Sequence, residues 1–300
     1  MPVSRRGNSE IMQIFASTTF HGTNRTRVTD VVRLMQRTSL DGIELGSTHV
    51  HEEEAALLSI RDLWGKRILT HNFFPPKADE NFVLNLAAAD RDMRAESVAH
   101  CRYCIDIAAE LEAELYTVHP GFMAVPLEAA AKKGESHYDF QFAAGRIPHA
   151  EAFAASLESL AVLQGHARES GVTLAIETEG SVTKQGILLM ERIDEYDRLF
   201  AALPDMKLNF NLAHTSLSAK VHGFSVDDFV ARFGARFAAV ELSHNDGHSD
   251  QHAALVPGSY VLDWVPKLPD VPWIMEFRNA SITELEDSAA LIRSAKGTTA

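Results

Sequence analysis

The sequence predicts an α/β protein in which eight short strands alternate with helices and close into a single-domain (β/α)8 barrel. Three observations predict it. Short apolar runs recur along the chain, most of them separated by stretches with helical periodicity, which is the pattern of repeated βα units and therefore of a parallel sheet. There are eight such runs, the number that closes a barrel. No charge block or low-complexity linker divides the 300 residues, a length suited to one α/β barrel. A doubly wound open sheet is the competing architecture. It calls for a glycine-rich turn after the first strand, where this chain reads STTFHG.

Residues 1–10 are polar and expected to form a tail, 11–296 the barrel, and 297–300 a second tail. The first strand is expected at 13–17, and helical periodicity follows at 28–36 with Thr26 or Thr29 as the candidate cap. DGIEL supplies a turn and the second strand at 43–45. The helix predicted at 51–63 opens on acidic residues, which the positive end of the helix dipole favours. The third strand, 66–71, leads into a loop with two prolines, NFFPPKADENF. A long helix at 90–112 precedes the fourth strand at 115–119, which Pro120-Gly121 ends. Residues 122–148 show no clear period, and the polar and aromatic mix KKGESHYDFQFAAGR predicts a lid-like insertion with at most one short helix. A helix at 150–170, stopped by Gly171, leads to the fifth strand at 173–177, and a helix at 186–203 stops before Pro204. The sixth strand is expected at 207–211, a helix at 226–233 after Ser225, and the seventh strand at 237–242. A short helical turn at 258–265, the eighth strand at 272–277 and a last helix at 283–295 complete the chain.

Composition narrows the function. The formal charge is 28 − 41 = −13, which disfavours a passive polyanion binder, because phosphate contacts need Lys and Arg. No apolar run is long enough to span a membrane, and the first residues lack the apolar core of a signal peptide, so a cytoplasmic location is expected. The two cysteines, Cys101 and Cys104, fall inside a helical pattern and are expected to pack there rather than bind metal.

In such a barrel the catalytic groups sit where the strands end. The third strand ends in His71, the fourth in His119, the fifth in Glu177 and the sixth in Asn211, with His214 just beyond. The seventh ends near His244, followed by Asp250 and His252, and the eighth ends in Glu276. The densest stretch is AVELSHNDGHSDQHAAL, with His244, Asp246, His248, Asp250 and His252 close together. Carboxylates at this density would resist ionising together, and a divalent cation removes the conflict. Mixed imidazole and carboxylate ligands suit zinc, manganese or iron(II). Arg278, two residues past Glu276, faces the same side of the strand and is a candidate for a substrate phosphate or carboxylate. Phe73 and His49, on the loops after the third and second strands, are further candidate substrate contacts. Glu44 is expected behind the ligands, and Glu179 is expected to point away from the ligand end of Glu177.

From DGIELG to IMEF the chain resembles the xylose isomerase-like TIM barrels, also called the family 2 AP endonuclease superfamily. Its endonuclease IV branch carries nine ligands for three metals. That resemblance implies His71, His119 in HPG, Glu177 in AIETEG, Asn211 and His214 in NLAH, His244 in SHND, Asp250 and His252 around Gln251, and Glu276. The ketose epimerase and sugar isomerase branch holds one metal, here implying Glu177, Asn211, His244 and Glu276. In that branch the two glutamates also exchange the substrate's proton from opposite faces, which makes Glu177 and Glu276 the implied catalytic pair. Both branches have Asp where this chain has Asn211, so the expected content is one to three metals, with one or two fitting best. The NFFPPKADEN loop and Gln251, in place of an Arg, depart from the features that grip DNA, so a small sugar or sugar phosphate is the expected partner rather than nucleic acid. A homo-oligomer is compatible with the sequence. The expected function is a metal-dependent isomerase or epimerase of a sugar or sugar derivative. The competing expectation is a two- or three-metal hydrolase of phosphate esters, either a phosphodiesterase or an AP endonuclease.

Overall fold

Strand residues alternate between two cores, and that alternation is what turns the sheet into a barrel. The computed structural model describes residues 12–21, 26–78, 82–130, 139–142, 145–184 and 186–297. The tail at 1–10, residues 298–300 of the other tail, and 131–138 and 143–144 of the insertion lie outside the described residues. The strands are β1 (Ile14–Ser17), β2 (Gly42–Leu45), β3 (Arg67–His71), β4 (Leu115–Val118), β5 (Pro126–Ala130), β6 (Asp139–Phe142), β7 (Thr173–Glu177), β8 (Lys207–Asn211), β9 (Phe237–Leu242) and β10 (Trp273–Met275). Eight of them close in the order β1-β10-β9-β8-β7-β4-β3-β2, every pairing parallel. The insertion, expected as a lid-like stretch with at most one short helix, contributes the antiparallel pair β5-β6 in its described part.

The inner core is a layer of six residues, Phe15, Leu69, Leu115, Ala175, Ala239 and Ile274, each from a different strand. Their neighbours in sequence, such as Ile14, Ile68, Tyr116, Leu174, Val240 and Trp273, belong to the larger core between sheet and helices. Side chains alternate with period 2 along a strand, so one side of each strand faces the barrel axis. Gly42 is required at the base of this layer. A Cβ there would stand 1.9 Å from the Phe15 ring, so the phenyl group fills the space opposite its paired neighbour.

The helices are α1 (Val28–Met35), α2 (Glu54–Trp64), α3 (Arg91–Glu110), α4 (His149–Ser170), α5 (Ile193–Ala202), α6 (Leu212–His222), α7 (Val226–Phe233) and α8 (Ile282–Lys296). Their ends follow local chemistry. Asp90 accepts the Met93 N–H, Ser225 accepts the Asp228 N–H, and Ser281 forms a reciprocal capping box with Glu284. Cys101 and Cys104 are buried in α3 as free thiols. The helix predicted to begin at 186 starts at Ile193, and the turn expected at 258–265 is a pair of 3-10 turns, Tyr260–Asp263 and Val265–Lys267. α6 is absent from the sequence expectation. It begins directly after β8, with Asn211 ending the strand and capping the helix, so no linker of turn residues announces it. No helix among the described residues is long and apolar enough to cross a membrane.

Candidate metal centre and active site

Two residues beyond the inner apolar layer, the same strand faces carry Ser17, His71, Thr117, Glu177, Glu241 and Glu276. On β2 and β8 the flanking residues Ile43, Leu45, Leu208 and Phe210 pack outward, which leaves Glu44, Asn209 and Asn211 facing the axis. The barrel interior therefore changes from apolar to polar in one step toward its C-terminal rim. Glu44, Glu177 and Glu241 are 0% exposed and Glu276 is 9% exposed.

Glu177 is the hub. His71 Nε2 lies 2.8 Å from Glu177 Oε2 and His119 Nε2 3.3 Å from the same oxygen, while His214 Nδ1 lies 3.0 Å from Oε1. Asn211 Nδ2 donates to Glu177 Oε1 at 3.0 Å and to Glu241 Oε2 at 2.9 Å, and Asn209 Nδ2 donates to the other oxygen of Glu241. A second cluster joins His214 Nε2, His252 Nε2 and Asp250 at 3.4 and 2.9 Å, and His252 Nδ1 is 3.0 Å from Glu276 Oε2. Four sets of ligand atoms converge within 4.8 Å: His71, His119 and Glu177; His214, Asp250 and His252; Glu44, His71 and Glu241; and Glu177, Glu241 and Glu276.

Burial and charge divide these groups. Burial lifts the Glu44 carboxyl to about 7 against the pull of His71, and burial with the charges of Glu177 and Glu276 holds Glu241 well above the carboxylate range. Burial acts the same way on Glu177 and Glu276, but their imidazole partners win and both carboxyls stay below their ordinary value. Burial would discharge the histidines, yet Glu177 and Glu179 raise His119 to about 10, and Glu276 and Asp250 raise His252 to about 9. His71 and His214 are raised as well, chiefly by Glu44 and Asp250 respectively against burial. Protonated imidazoles thus serve as counter-charges for the carboxylates, and a divalent cation would take their place as it displaced those protons. The donor set fits such an ion: imidazole nitrogens and carboxylate oxygens at one rim, together with the buried Glu44, whose nearest cationic neighbour is His71 Nδ1 at 3.9 Å.

The structure gathers His71, His119, Glu177, His214, Asp250, His252 and Glu276 as expected. His244 stands apart. Its backbone pairs with Ala253 at 2.9 Å in both directions, its ring packs 5.6 Å from that of Tyr260, and it joins none of the four donor sets among the described residues. The side chain that β9 sends to the axis is Glu241. Strand parity could have found it, since a Glu between the outward apolar residues Val240 and Leu242 must face inward. Asn211 is central, but its amide nitrogen faces the carboxylates while Oδ1 accepts the His214 N–H at 3.0 Å.

A cavity of about 400 Å³ opens above the cluster, lined by Thr19, Ser47, Thr48, Asn72, Phe73, Phe82, Phe122, His119, Glu179, Asp250, Glu276 and Arg278 among others. Phe73 and Arg278 are on its wall, and Arg278 donates to the Asp250 carboxylate at 3.3 Å. His49 is not on the wall. It is 3% exposed, its Nε2 lies 2.9 Å from Thr18 Oγ1, and burial lowers its pKa to about 4, so it supports the loop rather than the substrate. Glu179 does reach the site, 2.7 Å from His119 Nδ1, against the expectation that it points away. Asp246 instead accepts the His248 and Ser249 N–H groups in a turn.

Comparison with known proteins agrees with this fold. The sequence profile described as xylose isomerase-like TIM barrel matches residues 32–271. No curated protein matches the sequence. Among solved structures, a D-tagatose 3-epimerase-like protein is 18% identical with a TM-score of 0.69, over 95% of this chain and 97% of that one. D-psicose 3-epimerase from Clostridium cellulolyticum H10, solved with D-tagatose, is 12% identical with a TM-score of 0.65, over 96% of each chain. A protein from Thermus thermophilus, soaked with zinc chloride, is 18% identical with a TM-score of 0.64, over 96% of this chain and 98% of that one. At these identities the likeness establishes the fold.

Proposed function

Because this chain belongs to the xylose isomerase-like TIM-barrel family, we propose that it is a divalent-metal-dependent isomerase or epimerase acting on a sugar or sugar derivative. The observation that carries this reading is the placement of Glu276. It is the one of the two expected catalytic glutamates on the cavity wall, beside the donor sets and facing a cavity within the roughly 300–1,000 Å³ typical of small-molecule sites. Hydroxyl and amide groups of Thr19, Ser47, Thr48 and Asn72 stand ready for sugar hydroxyls, while Phe73, Phe82 and Phe122 keep water away. Arg278 suits an anionic substituent, in competition with Asp250.

When bound, a zinc, manganese or iron(II) ion would polarise a carbonyl and its neighbouring hydroxyl and so acidify the adjacent C–H. The donor sets that would hold it are Glu177, Glu241 and Glu276 on the axis and His71, His119 and Glu177 at the rim. Glu276, kept ionised by His252, is the group to take the proton. Glu177 is fully buried, with its oxygens occupied by His71, His119, His214 and Asn211. It can act as the opposing acid only once an imidazole releases an oxygen. The test is solvent exchange: metal-reconstituted protein in deuterium oxide should place deuterium beside the carbonyl of at least one sugar in a broad ketose and aldose panel. Absence of exchange and of any isomer across the panel would refute the proposal.

A second reading rests on one observation, the separation of the donors into several sets. The set formed by His214, Asp250 and His252 is more than a one-metal isomerase needs, and it favours a multi-metal phosphate-ester hydrolase. Metal counting by native mass spectrometry separates the two. About one ion per chain supports the isomerase, and two or three ions together with phosphodiester cleavage support the hydrolase.

A further inference from the structure

We propose that the metal ligand supplied by β9 is the carboxylate of Glu241, acting with Glu177 and Glu276 in a carboxylate cation site on the barrel axis, and that Asn211 positions two of these carboxylates without coordinating. The proposal rests on the metal-dependent reading above and assigns ligands and ion class within it.

The three carboxylates come from β7, β9 and β10 and offer oxygens within 4.8 Å of one another. Their partners differ. Glu177 and Glu276 are paired with imidazoles, whereas no ion pair reaches Glu241 among the described residues, and its two oxygens are held by the neutral amides of Asn209 and Asn211. Neutral donors orient the carboxyl group and supply no positive charge for its ionised form. Glu44 points to the same deficit. It is 0% exposed and lies within 4.8 Å of ligand atoms of Glu241 and His71, and its one cationic neighbour, His71 Nδ1 at 3.9 Å, is shared with Glu276 at 4.0 Å. A buried carboxylate aimed at another buried carboxylate is tolerable when a cation sits between them.

The amide of Asn211 is locked. Its Oδ1 accepts the His214 N–H at 3.0 Å as the N-cap of α6, so Nδ2 must turn to Glu177 and Glu241. Presenting the oxygen to an ion would forfeit the cap and the bonds to Glu177 and Glu241. His244, held in its bridge to Ala253 and against Tyr260, is outside the cluster. The set of Glu177, Glu241 and Glu276 offers carboxylate oxygens, the donors of hard cations such as Mn²⁺ and Mg²⁺, with His71 as a neighbouring imidazole engaged with Glu177 at 2.8 Å, while the set of His214, Asp250 and His252 is richer in nitrogen and suits zinc.

The experiment uses the full chain stripped with EDTA, titrated with Mn²⁺ alone and followed by electron paramagnetic resonance. Glu241→Gln should weaken Mn²⁺ binding by about tenfold or more, and His244→Ala should leave it within about twofold of wild type. The reverse pattern, or equal binding by wild type and Glu241→Gln, overturns the assignment. Where Glu241→Gln does not fold, Glu241→His decides: its preference should move from Mn²⁺ toward Zn²⁺, and an unchanged ratio of the two affinities overturns the proposal. A wild type that binds no Mn²⁺ overturns this inference and the metal-dependent reading together. Mn²⁺ binding that depends on Glu241, in a protein that exchanges no sugar proton, upholds the site while the isomerase reading fails.

Discussion

Replacing Glu44 by Gln should stabilise the metal-free protein, and the gain should depend on pH. Glu44 is 0% exposed, and burial, with help from Glu276 and Glu177, lifts its carboxyl from an ordinary 4.5 to about 7 despite His71 and Ser17. At about 1.4 kcal/mol per pH unit, the ionised side chain costs the folded state about 3 kcal/mol once the pH is well above 7. The sign follows from proton counting. Between 4.5 and 7 the folded state holds the proton more tightly than the unfolded chain, so stability falls as the pH rises through that window and stays low above it. Gln keeps a similar shape and a buried polar end, so the comparison isolates the charge. Urea unfolding in EDTA should show the variant ahead by about 3 kcal/mol at pH 8 and by less than about 1 kcal/mol at pH 5. With a saturating divalent cation the advantage should shrink or reverse, because the Glu44 charge then faces a positive ion. A variant no more stable than wild type at pH 8 without metal would refute the picture of a buried carboxylate whose burial outweighs its partners.

Asn211→Asp removes the bonds to Glu177 and Glu241 and adds a carboxylate beside them, so the metal-free protein should lose about 3 kcal/mol or more and recover much of it in saturating Mn²⁺, read by calorimetry; an unchanged melting temperature would show that the amide holds nothing. Gly180→Ala would set a methyl 2.5 Å from the His214 Cα, so it should cost about 1–3 kcal/mol and displace His214, lowering zinc content by mass spectrometry. His49 and His100, both lowered from 6.5 to about 4 by burial, stay neutral when folded, so the unfolded chain binds more protons across that window. Their stabilisation is present above 6.5 and lost as the pH falls toward 4, about 3 kcal/mol each, and His100→Gln should flatten the urea-midpoint slope there.

Much of the site was legible from chain order alone. A parallel barrel brings every strand's C-terminal end to one rim, so His71, His119, Glu177, His214, Asp250, His252 and Glu276 could be grouped by their position after a strand without any distance. The fold was legible for the same reason: apolar runs and helical periods are local, and eight βα units have few ways to pack. What the tertiary structure decided is which atoms face the axis. On β9 the choice between Glu241 and His244 depends on where the strand ends: Glu241 is inside it and follows its period, while His244 lies just past it, with its backbone bridged to Ala253. At Asn211 the amide orientation is set by α6, a helix with no start signal because the strand's last residue is also its cap. His49 turned under its loop toward Thr18, and Glu179 turned into the cavity toward His119, through contacts between elements far apart in sequence. Composition and spacing can name the residues at a rim, but side-chain direction follows from strand register and rotamer, which only the packed barrel determines.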